Sequence, residues 1–177
     1  MKGPAIPISL RHPLRGDVAA LAALRNDSRL QRQLMMPVRT LSLPEIRAWI
    51  RRRTRDSVGM FFVVAARRDG ALLGFVQLTQ VDRVNQTADL GIALAAAARG
   101  RGVAAAALEQ LEGKACRVKL RKITLRVLAA NRRAIRFYTK VGFRKVGVWR
   151  RHHLQGGAFR DVLLMEKFLA VRRPARP

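Results

Sequence analysis

The 177 residues predict a single α/β domain. Three observations carry that expectation. Short runs of period-two apolar alternation, such as TADLGIAL (87–94) and KITLRVLA (122–129), are interleaved with stretches of helical period. The passage from 87 to 129 runs strand, helix, strand, which calls for a parallel pair joined by a right-handed crossover. No repeat, linker or composition break divides the chain, and its length suits one domain.

AIPISLRHPL (5–14) alternates weakly and predicts a first strand that ends at Pro13. Asp17 then opens a helix through about Arg29, with Val18, Leu21 and Leu24 at helical spacing. SLPEIRAWIRRR begins a second helix: Ser42 stands three residues before Glu45, a capping box with Pro44 in the first turn. Ile46, Trp49 and Ile50 form its apolar stripe. MFFVVAAR (60–67) and LLGFVQLTQV (72–81) predict two strands joined by a tight Asp69-Gly70 turn. In strand 87–94 one face carries Ala88, Leu90, Ile92 and Leu94. A helix over 101–115 follows, then the strand 122–129 and a short helix over 132–141. Phe143–Trp149 and Phe159–Phe168 predict a closing antiparallel pair joined through Gln155-Gly156-Gly157. An ordered core over about 5–169 is expected, with the basic tail VRRPARP frayed.

With 49% apolar residues a globular chain is expected, and the lone Cys116 cannot form an internal disulfide. That cysteine usage, the lack of a signal-peptide run and the lack of a membrane-length apolar stretch make a cytoplasmic protein away from membranes the expectation. No metal-ligand spacing is present. A formal charge of +25 draws in nucleic acid, ribosomes, acidic proteins and phosphorylated cofactors. Arginine spread over solvated faces gives the same total, so charge alone does not choose a partner.

RGRGVA (99–104) lies between a strand end and a helix start. Unpaired amides and the helix dipole make such a place an anion site. Gly100 and Gly102 permit positive φ and clear the approach to the backbone, while Arg99 and Arg101 can fork onto phosphate oxygens. A plain glycine turn with solvated arginines is the alternative. GRGVAA also fits the dinucleotide pattern G-x-G-x-x-A, yet it comes late in the chain and no acid follows between Gly113 and Arg160. Further on, NRRAIRFYTKVGF (131–143) predicts a short, sharply bounded helix. Asn131 suits the N-cap, Gly142 the left-handed residue after the last turn, and Phe143 the apolar contact that closes it.

An R-G-x-G-x-A loop opening a helix, then a strand, then N-x-x-A-I-x-F-Y-x-K-x-G-F, resembles the GNAT acetyltransferase superfamily. The likeness covers nearly the whole chain. LRNDSRLQRQLM before SLPEIRAWI, and the closing DVLLMEKF, resemble the branch holding ribosomal-protein N-terminal acetyltransferases and nucleotide-linked amino-sugar acetyltransferases. The resemblance implies a mixed α+β fold: a twisted, largely antiparallel sheet of six or seven strands flanked by about four helices. It implies an N-acetyltransferase that moves acetyl from acetyl-CoA to a primary amine by direct attack in a ternary complex.

Carried onto this sequence, the resemblance gives Arg99, Gly100, Arg101, Gly102, Val103 and Ala104 the pyrophosphate. It pairs Ile92, Ala93 and Leu94 with the pantetheine amides and sets Asn131 beside that arm. Tyr138, the chain's one tyrosine, would protonate the departing thiolate, a role its ordinary pKa near 10 suits. Asp89 stands where the family often has an acid and is the candidate base; a water relay or binding of the free amine can replace it. His152-His153 fall near the acceptor side, in a 150–157 connection. A protein N-terminal amine is the expected acceptor, with acidic or ribosomal protein as partner and a homodimer among the expected assemblies. An amino-sugar nucleotide acceptor, a non-catalytic RNA- or ribosome-binding module and an NADP-binding protein are the alternatives. Polycationic acceptors are disfavoured by the charge unless an acidic pocket is kept.

Overall fold

The computed structural model describes residues 5–55 and 59–169; the expected frayed tail lies outside them. The chain runs β1 (Ile8–Arg11), α1 (Val18–Arg25), α2 (Ser28–Gln33), α3 (Leu43–Arg55), β2 (Met60–Ala66), β3 (Leu72–Asp82) and β4 (Thr87–Leu94). It continues through α4 (Val103–Arg117), β5 (Lys122–Leu128), α5 (Arg132–Lys140), β6 (Arg144–Gln155) and β7 (Ala158–Phe168). The seven strands form one sheet in the order β1-β2-β3-β4-β5-β7-β6. Every neighbouring pair is antiparallel except β4 and β5, which run parallel as the crossover requires. Among the described residues no helix is long and apolar enough to cross a membrane.

Because strand side chains alternate, the sheet buries two separate apolar faces. One packs under α4, where Val76, Leu78, Ala88, Ile123, Leu125 and Val127 meet Val103, Ala107, Leu108 and Leu111. The other packs under α1 and α3, where Phe61, Val63, Phe75 and Ala93 meet Leu21, Leu24, Ile46 and Trp49. Trp49 stands edge-on to Phe61 and Phe75, with ring centroids 5.1 and 5.4 Å away. Such geometry places ring edges against π faces and fixes how α3 seats on the sheet.

The helix expected from Asp17 to Arg29 is two helices. Asp27 Oδ1 accepts the N–H groups of Arg29 (2.9 Å) and Leu30 (3.0 Å), capping a new helix. Asn26 donates to the Leu41 carbonyl and accepts the Leu41 N–H. Short polar side chains that bond nearby backbone compete with helical pairing, so α1 stops at the Asn-Asp-Ser run and three helices, not two, follow β1. The capping box on α3 forms: Glu45 Oε2 accepts the Ser42 N–H at 2.8 Å. The expected 150–157 connection is also strand, because β6 continues to Gln155 through bulges. His152 and His153 therefore sit on β6, where a bulge re-aims side chains.

β3 and β4 approach closely at Gly74. A methyl there would overlap the Ala93 carbonyl oxygen and press on Leu94 Cδ2 at 2.7 Å. Gly74→Ala should lower stability by about 1–3 kcal/mol, the range for overpacking a rigid contact. Urea denaturation checks this; an unchanged midpoint would show that the strands yield freely.

Candidate active site

β4 and β5 are paired only where Thr87–Asp89 lie beside Lys122–Thr124. Beyond Asp89 the strands part, and a slot opens through the middle of the sheet. The Ala95 N–H donates to the Leu73 carbonyl at 2.8 Å, which sets the phase of the β3–β4 ladder. In an antiparallel ladder successive residues face opposite neighbours. Gly91 and Ala93 thus turn their backbone groups to β3, while Leu90, Ile92 and Leu94 turn theirs into the slot. Arg99 Nε donates to the Leu94 carbonyl at 3.1 Å. The Ile92 N–H and C=O and the Leu94 N–H face a gap with no strand beside them among the described residues. An extended amide chain could add there as a strand would. Ala93, expected among the cofactor contacts, directs its backbone away from the slot and is 1% exposed.

The slot belongs to an open cleft of 1170 Å³ that also reaches the RGRGVA loop. Gly100 and Gly102 take left-handed φ values of +80° and +75°, and Gly102 is the residue that caps α4. The Ala106 N–H makes the first helical bond, to Gly102, so the N–H groups of Val103, Ala104 and Ala105 have no acceptor within the helix. Gly100, Gly102 and Ala104 line the cleft. Val103 is fully buried and anchors α4 in the core.

The two arginines of the loop behave differently from expectation. Arg99 folds back onto Leu94, and its Nη2 lies 4.0 Å from Asp27 Oδ2. It buttresses the end of β4 and stays on the cleft wall. Arg101 lines a separate small cavity beside Ala5, Arg67 and Asp69, and its carbonyl accepts the Ile6 N–H at 3.3 Å. A chain segment crossing behind the loop pulls Arg101 off the cleft. At the head of α4 it is the backbone N–H groups, more than either guanidinium, that are open to an anion.

Tyr138 comes to the cleft on α5, which is held at both ends. Asn131 Oδ1 accepts the Ala134 N–H at 3.1 Å. At the other end the Phe143 N–H donates to the Tyr138 carbonyl (2.9 Å) and the Gly142 N–H to the Thr139 carbonyl (3.1 Å), a Schellman close. Gly142 has φ +95°, and Phe143 is 2% exposed beneath the Tyr138 ring, 5.6 Å between centroids. Asn131 spends its carbonyl oxygen on the cap, leaving the amide N–H groups toward the cleft it lines.

Among the described residues nothing hydrogen-bonds the Tyr138 hydroxyl, and burial pushes its pKa up to about 12. The phenol therefore remains a proton donor across the whole range in which an enzyme works. Being the single tyrosine, its ionisation can be read directly from phenolate absorbance. The expected midpoint is about 12 in the folded protein and about 10 in denaturant. A folded midpoint near 10 would show a solvated ring. A folded-state pKa above the unfolded one stabilises the fold fully below the unfolded value, and that contribution is lost as pH rises through the folded one.

Asp89 lies across the sheet from Tyr138. By alternation it shares a face with Ala93 and Phe75, toward α1 and α3, whereas Tyr138 packs on the α4 side. The Thr124 hydroxyl donates to its Oδ1, and Arg126 Nη2 lies 3.2 Å from Oδ2. Asp89 is thus an ion-paired carboxylate at the slot, with both oxygens engaged. His152 and His153 also line the cleft.

Residues that the sequence did not single out complete the wall: Arg25, Arg52, Arg53, Gln77, Arg133 and Arg136. One signal for two of them was in view. Arg52 and Arg53 follow Trp49 by three and four residues, so they continue the apolar stripe of α3 with charge. Among the described residues the cleft carries one acid, Asp89, against eight Arg or Lys side chains. No group of three or more His, Cys, Asp or Glu comes together among those residues.

A family model described as an acetyltransferase (GNAT) domain matches residues 8–144. A search of curated proteins found no match. Among solved structures, a spermidine N-acetyltransferase from Vibrio cholerae in complex with CoA and spermine is similar at TM-score 0.85 and 23% identity. The match covers 92% of this chain and 96% of that one. A ribosomal-protein-alanine N-acetyltransferase from Brucella melitensis is similar at TM-score 0.77 and 25% identity, over 91% and 99% of the two chains. The splayed β4–β5 pair, the left-handed glycines heading α4 and the free β4 edge fit acetyl-CoA as cosubstrate. With the family model spanning most of its length, the chain belongs to the GNAT acetyltransferases and is an acetyl-CoA-dependent N-acetyltransferase.

Proposed function

We propose that the acceptor is the terminal α-amine of a protein, in the manner of ribosomal-protein N-terminal acetyltransferases. The charge of the cleft carries this reading. A polyamine, named for the Vibrio cholerae neighbour, needs carboxylates to hold its ammonium groups. Among the described residues one carboxylate, already paired with Arg126, stands with seven further cationic side chains. An acceptor attached to an acidic chain meets attraction instead of repulsion. The 25% identity to the Brucella melitensis enzyme along 91% of this chain supports the same branch. An amino-sugar nucleotide is the second reading, because its phosphates also suit arginine.

In this mechanism the Ile92 and Leu94 backbone at the slot positions the pantetheine arm as an added strand. A backbone N–H there polarises the thioester carbonyl. The α4 head with Gly100, Gly102 and Ala104 takes the pyrophosphate, and Asn131 binds beside the arm. The neutral amine attacks the carbonyl carbon, the C–S bond breaks, and Tyr138 gives its proton to the thiolate sulfur. Asp89, held by Thr124 and Arg126, faces the amine side, where it receives the amine's proton through water. No protein nucleophile is needed when the amine attacks directly.

A thiol-release assay over N-terminal peptides, amino-sugar nucleotides and polyamines tests the acceptor. Turnover of peptides above the other two classes is expected. Spermidine as the best acceptor would overturn the reading.

A further inference from the structure

We propose that Arg25, together with Arg52 and Arg53, forms an anion subsite on the acceptor side of the cleft, which holds a carboxylate or phosphate carried by the amine substrate. The inference rests on the proposed acceptor reading, since it takes this side of the slot as the acceptor's.

Arg25 ends α1 and lays its guanidinium over the Trp49 ring, 4.6 Å from the centroid. Its Nη1 contacts Met36 Sδ at 3.0 Å, and its Nε is sealed from solvent without a hydrogen-bond partner. Among the described residues no carboxylate pairs with it. The described acids of this layer are spent elsewhere: Asp17 on Arg11, Asp27 on the α2 cap, Glu45 on Arg39 and Ser42, and Asp89 on Thr124 and Arg126. Burial holds the Arg25 pKa below the usual guanidinium value, and Arg53, Arg39 and Arg52 push it the same way.

An arginine half-removed from water, short of a partner and ringed by like charges is an unfavourable arrangement for the protein alone. A bound anion reverses each of those effects. The planar fork matches carboxylate or phosphate, and its seat over the Trp49 ring holds it in place beforehand, so less ordering entropy is lost on binding. Arg52 and Arg53 stand one turn beyond Trp49 on α3 and line the same cleft.

A second unpartnered group gives the cleft direction. Gln77 Oε1 is buried without a hydrogen-bond partner and lines the cleft beside Gly91, where a Cβ would approach Gln77 Nε2 at 2.8 Å. By strand alternation Gln77 shares the face of Asp89 and Phe75, near the slot. A carbonyl oxygen suits an amine N–H, and the arginines suit an acidic group further out. The acceptor is thereby read as bipolar, with its amine at the slot and its anion toward α1 and α3.

The test uses the full chain and matched peptides with a free N-terminus that differ only in Asp against Asn at the following positions. A phosphate-bearing primary amine is a third arm. An acidic peptide should exceed its neutral match by about 10- to 100-fold in kcat/KM, mostly through KM, as a partly buried charged hydrogen bond implies. In Arg52→Gln/Arg53→Gln, whose changes lie at the cleft rim, the ratio should fall toward unity. Arg25→Met should do the same, with Arg25→Lys restoring part of it. Trp149→Phe leaves Trp49 as the single tryptophan, and its emission should change on titration with acidic peptide and not with the neutral one.

Equal turnover of acidic and neutral peptides, with no Trp49 response, would overturn the subsite while leaving N-terminal acetylation standing. Turnover of the phosphate-bearing amine alone, lost in the arginine variants, would support the subsite and overturn the N-terminal acceptor. A Trp49 response that persists unchanged in Arg52→Gln/Arg53→Gln and Arg25→Met would also overturn it.

Discussion

Tyr138→Phe should lower kcat by about 100- to 10,000-fold, the usual contribution of a positioned general acid. The substitution removes one oxygen and keeps the ring between Phe137 and Phe143, at 5.2 and 5.6 Å. Because among the described residues no hydrogen bond to that oxygen exists, none is lost, and the fold should hold its stability. Acetyl-CoA affinity should also stay, since the proposed grip on the cofactor lies on β4 and the head of α4. The effect is therefore confined to the chemical step. Steady-state kinetics with isothermal titration of acetyl-CoA separates the two quantities, and an undiminished kcat would remove Tyr138 from the mechanism.

The pH profile follows from the same residue. With the Tyr138 pKa up at about 12, the acid stays loaded, so no alkaline loss of kcat/KM from this group is expected through pH 10. A thiolate leaving group with an ordinary pKa of about 8.5 takes the proton from a weaker acid. Complete transfer therefore runs uphill, and what Tyr138 contributes is a hydrogen bond that strengthens as charge builds on sulfur. Burial of the ring thus keeps the proton available.

Gly102→Val should raise the acetyl-CoA Kd by about 10- to 100-fold, with a smaller effect on kcat at saturation. Gly102 holds φ +75° at the cap of α4. A methyl on its α-carbon would meet only Ala5 Cβ, 3.9 Å away, so the side-chain direction is otherwise open. A β-branched side chain is strained at that φ and stands where the proposed site has the pyrophosphate approach the backbone. Gly113→Ala in the same helix is the control. Open space surrounds Gly113, so alanine should stabilise α4 by about 0.5–1 kcal/mol and leave binding alone. Isothermal titration and thermal melts read both; an unchanged Kd for Gly102→Val would place the phosphates elsewhere.

The β-strands from 60 onward are legible in the sequence because alternation is a local property. TADLGIAL and KITLRVLA each need one face toward α4, and their apolar residues recur every second position. Asn131, Gly142 and Phe143 mark α5 because caps are made by the few residues at the helix ends. Periodicity overextends α1, since its Leu and Ala pattern runs past Asn26-Asp27, whose side chains bind backbone instead. His152 and His153 read as loop because a bulged strand of exposed residues has no apolar alternation to betray it.

Residue types at fixed spacing suffice for the family, the parallel β4–β5 pair, the glycine loop at the head of α4 and the place of Tyr138 on a short capped helix. Which groups share the cleft is a tertiary outcome. Packing turned Arg99 onto the Leu94 carbonyl, drew Arg101 behind the loop and set Asp89 between Thr124 and Arg126. It also brought Arg25 from α1 into one cleft with Arg52 and Arg53 of α3, stacked on the Trp49 ring. Those outcomes depend on distances between residues far apart in the chain, set by how α1 and α3 seat on the sheet, and no local pattern encodes them.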